Sequence, residues 1–331
     1  MDRIDYDEFG FFHENAEEYG LAYDGPPVVR RVDVDVDRGR TLSALVWGEA
    51  EPELVLLHGG AQNAHTWDTV AMALDRPLVA IDLPGHGHSD GPGSHAEGHL
   101  SLQGNAADVA AAIAQIAPAA RAVVGMSLGG LTTIALADHA PELVRAVVLV
   151  DVLPGLKGSR SKHIVDFVNG PPSFANLDEL LEWTVQFNPT RSRASLRRGI
   201  LHNAQQQQDG TWVWRWARHR TGEAQDGGDA GPSPSPSPSH SETLNETVTD
   251  SEVSGDSLFD GLWESLSSVA VPVLLVRGLR PDSVLGDEDE AELRRRLPSA
   301  RVVHVAEAGH SIQGDAPLEL AALIGDFVLS S

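Results

Sequence analysis

Apolar positions along the chain fall into two textures that alternate. Glu53 to Leu57, Pro77 to Asp82, Ala120 to Met126 and Arg145 to Asp151 are short runs of aliphatic and β-branched residues, the length of strands covered on both faces. Asn63 to Leu74, Ser101 to Ile116 and Leu128 to His139 carry apolar residues at three- and four-residue spacing, which predicts helices. Two β-rich runs, Val28 to Val36 and Thr41 to Trp47, precede this series around the turn-like Asp37-Arg38-Gly39 and read as an antiparallel hairpin. The alternation stops at Leu153 and resumes with strand Val271 to Arg277, helix Asp287 to Leu297, strand Ala300 to Val305 and helix Ala316 to Val328. The expectation is an α/β fold: a mostly parallel eight-stranded sheet with helices on both faces, and a helical cap inserted after the sixth strand.

The boundaries follow from the same pattern. Residues 1–27 are an acidic lead, residues 28–152 and 271–331 form the core, and residues 153–270 form the cap. Within the cap, Lys162 to Val168, Leu177 to Phe187, Arg191 to His202 and Leu258 to Ser267 read as helical. Thr221 to Asp256 contains GPSPSPSPSH, eight acidic residues, no Lys or Arg and few apolar side chains. Such a segment cannot bury enough surface to offset the entropy of ordering, so a disordered loop is expected there.

Charge and composition narrow the function classes. A net charge of −24 over 331 residues repels nucleic acid and anionic membranes, which argues against both as partners; the partner expected, from the chemistry below, is a small-molecule substrate. The chain contains no cysteine, so disulfides, thiolate metal sites and a cysteine nucleophile are excluded. The N-terminus has no signal-peptide pattern and no stretch reaches membrane-spanning length, so a cytoplasmic location is expected. Oligomeric state is not legible.

Three motifs carry chemistry. Gly125-Met126-Ser127-Leu128-Gly129 closes one strand and opens a helix. A sharp strand-to-helix turn exposes a serine hydroxyl, needs small neighbours, and sets the serine at a helix N-terminus that favours developing negative charge. Leu56-Leu57-His58-Gly59-Gly60 follows the third strand, where glycine lets the backbone approach a tetrahedral carbon. The N–H groups of Gly60 and Leu128 are the expected oxyanion hole, and His58 reads as a structural hydrogen-bonder. Ala308-Gly309-His310 follows the last strand, which brings His310 to the same sheet edge as Ser127 and makes it the expected general base. His86, His88, His95 and His99 lack paired carboxylates at ligand spacing, so neither a metal nor any cofactor is expected.

With HGG at 58–60, DLPGHGHSD at 82–90, GMSLGG at 125–130 and AGH at 308–310, the chain resembles the α/β-hydrolase fold superfamily over nearly all of Val28 to Val328 outside the cap. The resemblance implies that Asp82 and the glycines after it fix backbone geometry, and that the triad acid follows the seventh strand. Asp282 then completes the triad, with Asp151 at the end of the sixth strand as the alternative and a triad without an acid as the remaining possibility. A serine at the nucleophile position argues against epoxide hydrolases and dehalogenases.

The cap contributes two further candidates. Trp183, Phe187 and Trp212 are candidate substrate-pocket residues, although the Trp212, Trp214 and Trp216 alternation also fits one buried strand face. Arg191, Arg193, Arg197 and Arg198 either attract a carboxylate substrate or pair with nearby acids. The function expected is hydrolysis of a small carboxylic ester, thioester or lactone through an acyl-serine. Carbon–carbon bond hydrolysis or cofactor-free haloperoxidation on the same triad are alternatives, and a non-catalytic ligand- or partner-binding member of the fold is an alternative of another class.

Overall fold

A computed structural model describes residues 4–91, 101–155, 158–216 and 255–330. Strands β1 (Val29–Asp35), β2 (Thr41–Trp47), β3 (Leu54–Leu57), β4 (Leu78–Ile81), β5 (Ala122–Met126) and β6 (Val147–Val150) come first. The short β7 (Ala204–Gln206) and β8 (Trp212–Trp214) lie in the insertion, and β9 (Val273–Gly278) and β10 (Arg301–Val305) follow it. The main sheet has the order β1-β2-β4-β3-β5-β6-β9-β10. β1 and β2 pair antiparallel, as do β2 and β4, and every later neighbour is parallel.

A parallel sheet needs both faces covered, and this is why β3, β4, β5 and β6 are apolar at every position and buried throughout. The two-residue period sends Val55 and Leu57 to one face and Leu54 and Leu56 to the other. The first face packs against α3 (Leu102–Ile116), α4 (Leu128–His139), α8 (Gly255–Ser268) and α9 (Asp287–Arg296). The second packs against α1 (Phe12–Tyr19), α2 (Asp68–Leu74) and α11 (Pro317–Ser330). Burial of each such Leu or Val contributes about 1.5–3 kcal/mol.

Between β6 and β9 the chain leaves the sheet for α5 (Gly158–Val168), α6 (Leu177–Phe187), α7 (Arg193–Asn203), the β7–β8 hairpin and α8. This part has an apolar cluster of its own, with Phe174, Leu180, Leu196, Ile200, Trp212 and Trp214, and Ala61 from the loop after β3 belongs to it. Trp212 and Trp214 are therefore strand residues facing a core, and Trp216, past the end of β8, joins the same cluster. Of the acidic Pro/Ser loop expected over 221–256, residues 221–254 lie outside the described residues, and Gly255 and Asp256 open α8.

The acidic lead contains an element that its composition concealed. α1 buries Phe12 edge-on against Trp47 and ends on Gly20 at φ 66°. Its glutamates Glu14 and Glu18 pair with Arg198 of α7. Ahead of α1, Glu8 reaches Arg31 of β1 and His65, whose other ring nitrogen lies 2.9 Å from Asp68. Burial opposes charge on His65, but Asp68 and Glu8 outweigh it and push the imidazole up to about 9. Burial likewise opposes the Glu8 carboxylate, yet His65 and Arg31 hold it at about 2. Burial raises the carboxyl of Asp68 even against the pull of His65, so two acids compete for one buried proton and the imidazole keeps it.

Because the folded pKa of His65 lies above its ordinary 6.5, the stabilisation is complete below about 6.5 and is lost as pH rises towards about 9. Chemical denaturation of the wild type should show stability falling by on the order of 3 kcal/mol across that window. His65→Gln should be less stable at the acid end and should lack the alkaline decline.

Candidate active site

β5 ends at Met126 and α4 begins at Leu128, so the chain must reverse direction at Ser127. It does so at φ 50° and ψ −118°, a conformation costing a non-glycine residue about 1–3 kcal/mol. The turn closes tightly: a Cβ on Gly125 would strike the Gly129 carbonyl, and one on Gly129 would strike the carbonyls of Leu57 and His58. Strain and packing together hold the half-buried Ser127 above the carboxyl edge of the sheet.

The loop after β3 is clasped beside it. The Leu83 N–H donates to His58 Nε2 at 2.9 Å, so Nδ1 of the same ring carries the proton and donates to the Gly59 carbonyl at 2.7 Å. His86 Nε2 accepts the Ala61 N–H at 3.1 Å, and Gln62 Oε1 accepts that of Gly59 at 3.2 Å. Asp82 fixes the same region by accepting from the N–H groups of Ala64 and His88 and from Arg31. Gly59 packs against Ser127 so closely that a Cβ there would lie 3.3 Å from that of the serine, whereas Gly60 next to it borders open space. Among the described residues, neither the Gly60 N–H nor the Leu128 N–H donates to a protein acceptor.

His310 leaves the loop after β10 with Nδ1 3.0 Å from Asp151 Oδ2. Asp151 is fully buried at the end of β6, itself at a positive φ of 48°. It also accepts from the Gly278 N–H at 3.0 Å, the Ser283 hydroxyl at 2.7 Å and the Val284 N–H at 3.1 Å. A carboxylate surrounded by donors can only accept, so the proton of the imidazole sits on Nδ1 and Nε2 keeps its lone pair. Gln313, three residues beyond His310, bonds Gln62 at 3.3 Å and so ties the histidine loop to the Gly59–Gly60 loop.

The expected pairing of Asp282 with His310 is not what the structure shows: the ring nitrogen faces Asp151, the alternative acid. Asp282 is exposed and its carboxylate lies across the backbone of Gly309, while its neighbours Ser283 and Val284 turn inward and donate to Asp151. The loop after β9 thus supplies hydrogen-bond donors to Asp151. Ser283 was invisible as a site residue in the sequence, because its role exists only once β6 and β9 are neighbours.

A model of the alpha/beta hydrolase family matches residues 54–323, which include both Ser127 and His310. The chain belongs to the alpha/beta hydrolase family. It is 38% identical over 326 residues to esterase Rv0045c of Mycobacterium tuberculosis, covering 96% of this chain and 94% of that one. A solved structure of that esterase superposes with a TM-score of 0.77 at 37% identity, covering 99% of this chain and 100% of that one. The 3-hydroxybutyrate-oligomer hydrolase of Cupriavidus necator is 28% identical over 285 residues, 83% of this chain and 88% of its own.

A cavity of about 150 Å³ lies between the loop after β3 and the insertion, lined among others by Ala61 and Gln62 from the core and by Phe167, Arg191, Leu196 and Trp214 from the insertion. Trp183, Phe187 and Trp212, the pocket residues expected from sequence, do not line it. Trp183 packs on Phe187 at 4.8 Å between ring centres, and Trp212 is buried in the hairpin.

His65, Asp68 and His202 also border this cavity, and they alone among the described residues group three ligand atoms within 4.8 Å. The two rings stack face to face, 3.8 Å apart and 12° from parallel, so their in-plane lone pairs do not converge on one point. His65 is already engaged by two carboxylates, with Arg31 3.5 Å away. This is the chemistry of an ion-pair network. Of the histidines at 86, 88, 95 and 99, the last two lie outside the described residues.

The glycine contacts give a paired expectation. Gly129→Ala drives a methyl into backbone carbonyls that cannot rotate away, and should cost about 3 kcal/mol or more in denaturant unfolding. Gly60→Ala meets nothing within 4 Å and should stay within about 0.5 kcal/mol of the wild type. Equal stabilities for the two variants would contradict the packing described.

Proposed function

We propose that the protein hydrolyses small carboxylic esters by way of an acyl-serine on Ser127. His310 Nε2 takes the hydroxyl proton as the oxygen attacks the ester carbonyl, and the N–H groups of Gly60 and Leu128 hold the resulting oxyanion. The protonated imidazole then gives its proton to the departing alcohol. A water activated by the same nitrogen attacks the acyl-serine, releases the acid and restores the serine. Asp151 holds the imidazole in the tautomer that keeps Nε2 basic and stabilises the cation formed in each half-reaction. The inserted segment acts as a cap that shapes the substrate site.

The observation that carries this reading is the buried 3.0 Å pairing of His310 Nδ1 with Asp151, reached from a serine already held on a strained elbow. The esterase relative at 38% identity supports the reaction class. Ser127 and His310 make no direct hydrogen bond in the free protein, which is common in hydrolase sites before substrate aligns the pair.

Three variants test it on a p-nitrophenyl ester. Ser127→Ala should abolish turnover and fluorophosphonate labelling. Asp151→Asn should lower kcat by about 10⁴ by favouring the wrong tautomer, while Asp282→Asn should remain within about threefold of the wild type, as expected of an exposed residue. A large loss in Asp282→Asn with near-normal turnover in Asp151→Asn would refute the assignment.

A further inference from the structure

The arginines clustered at the start of α7 have different fates. Arg193 pairs with Glu182, Arg198 with Glu14 and Glu18, and Arg197 is exposed. Arg191 differs from these. Among the described residues no carboxylate lies within ion-pair distance of it, and Asp315 and Glu18 act on it only from farther off. One Nη donates to the Ser195 hydroxyl at 2.7 Å, while Nε is buried with no acceptor. Gly314, four residues past His310, lies against the guanidinium, where a Cβ would come within 2.9 Å. Burial pulls the pKa of Arg191 down against the weaker opposing influence of Tyr19, Asp315 and Glu18, yet a guanidinium stays charged at neutral pH.

Arg191 also lines the 150 Å³ cavity, as do Ala61 and Gln62, the residues directly after Gly60. Asn188, Thr184 and Ser195 add polar groups around it. A half-buried guanidinium with a buried, unused N–H, in a cavity also lined by the residues that follow Gly60, matches a planar anion. The strongly acidic surface repels anions at long range, so such a site needs a local cation. We propose that Arg191 is a specificity-determining residue that binds a carboxylate on the substrate, which makes the preferred substrates esters bearing a free carboxylate at one end. This rests on the reading of Ser127 as an ester-cleaving nucleophile.

The test compares p-nitrophenyl hexanoate with the p-nitrophenyl monoester of hexanedioic acid, which differ by the terminal carboxylate. The wild type should prefer the acid. Arg191→Gln should lower kcat/KM for the acid by about 10- to 100-fold, chiefly through KM, and change the neutral ester by less than about threefold. Arg191→Lys should recover part of the loss, and Arg193→Gln should change neither substrate. Equal losses on both esters, or no loss on either, would overturn the proposal. Should Arg191→Gln fail to fold, hexanedioate itself decides the matter: competitive inhibition of neutral-ester hydrolysis in the wild type supports the carboxylate site, and no inhibition overturns it. The serine reading fails separately, if neutral-ester turnover survives Ser127→Ala.

Discussion

The carboxylate of Asp151 is the point at which three separate parts of the sheet edge meet. It ends β6, accepts from Gly278 at the end of β9 and from Ser283 and Val284 in the loop beyond, and receives the Nδ1 proton of His310 from the loop after β10. A buried charge of this kind is tolerable only when donors surround it. The donors in turn require β6, β9 and β10 to be adjacent and in their observed register. The orientation of the imidazole is thus a consequence of sheet order. Ser127, one strand away at the end of β5, is fixed independently by the close packing of Gly125 and Gly129.

A second set of charges organises the ground above the sheet. Glu8, Arg31, His65 and Asp68 bind the N-terminal segment to β1 and to the loop after β3, and Glu14 and Glu18 bind α1 to α7 of the insertion. The insertion reaches the same loop directly, since Asn203 donates to the Ala61 carbonyl and Asn63 to that of His202. The lead is therefore a strap across core and insertion, and the cavity beside the Gly59–Gly60 loop takes its walls from all three. Around this cavity and strap, Arg31 and Arg198 pair with carboxylates, whereas Arg191 donates to the Ser195 hydroxyl.

What the sequence revealed was what is local. The strand–turn–helix around Ser127 is written in consecutive residues, and the places of Gly60, Leu128 and His310 follow from which strand each one leaves. The sheet was legible for the same reason, because strands buried on both faces are continuous apolar runs. The pairing of His310 with Asp151 and not Asp282 was not legible, because it depends on a meeting of strand ends far apart in sequence, and the loop after β9 offers an aspartate one residue before the inward-turning Ser283. The usable signal was an aspartate closing the wholly apolar Val147–Val150 run, where a charge must find partners. The helix in the lead was hidden by its glutamates, whose partners stand in α7. The lining of the cavity was hidden because α1, the loop after β3, α2, α5, α6, α7 and β8 assemble it from stretches distant in sequence.

The central claim is that the imidazole of His310 is held by Asp151, and proton NMR of the Nδ1 hydrogen reports on that bond directly. A hydrogen between imidazole and buried carboxylate is slow to exchange and resonates far downfield of ordinary amides. The account predicts that this resonance is present in the wild type, persists in Asp282→Asn and disappears in Asp151→Asn. Its persistence in Asp151→Asn together with its loss in Asp282→Asn would contradict it.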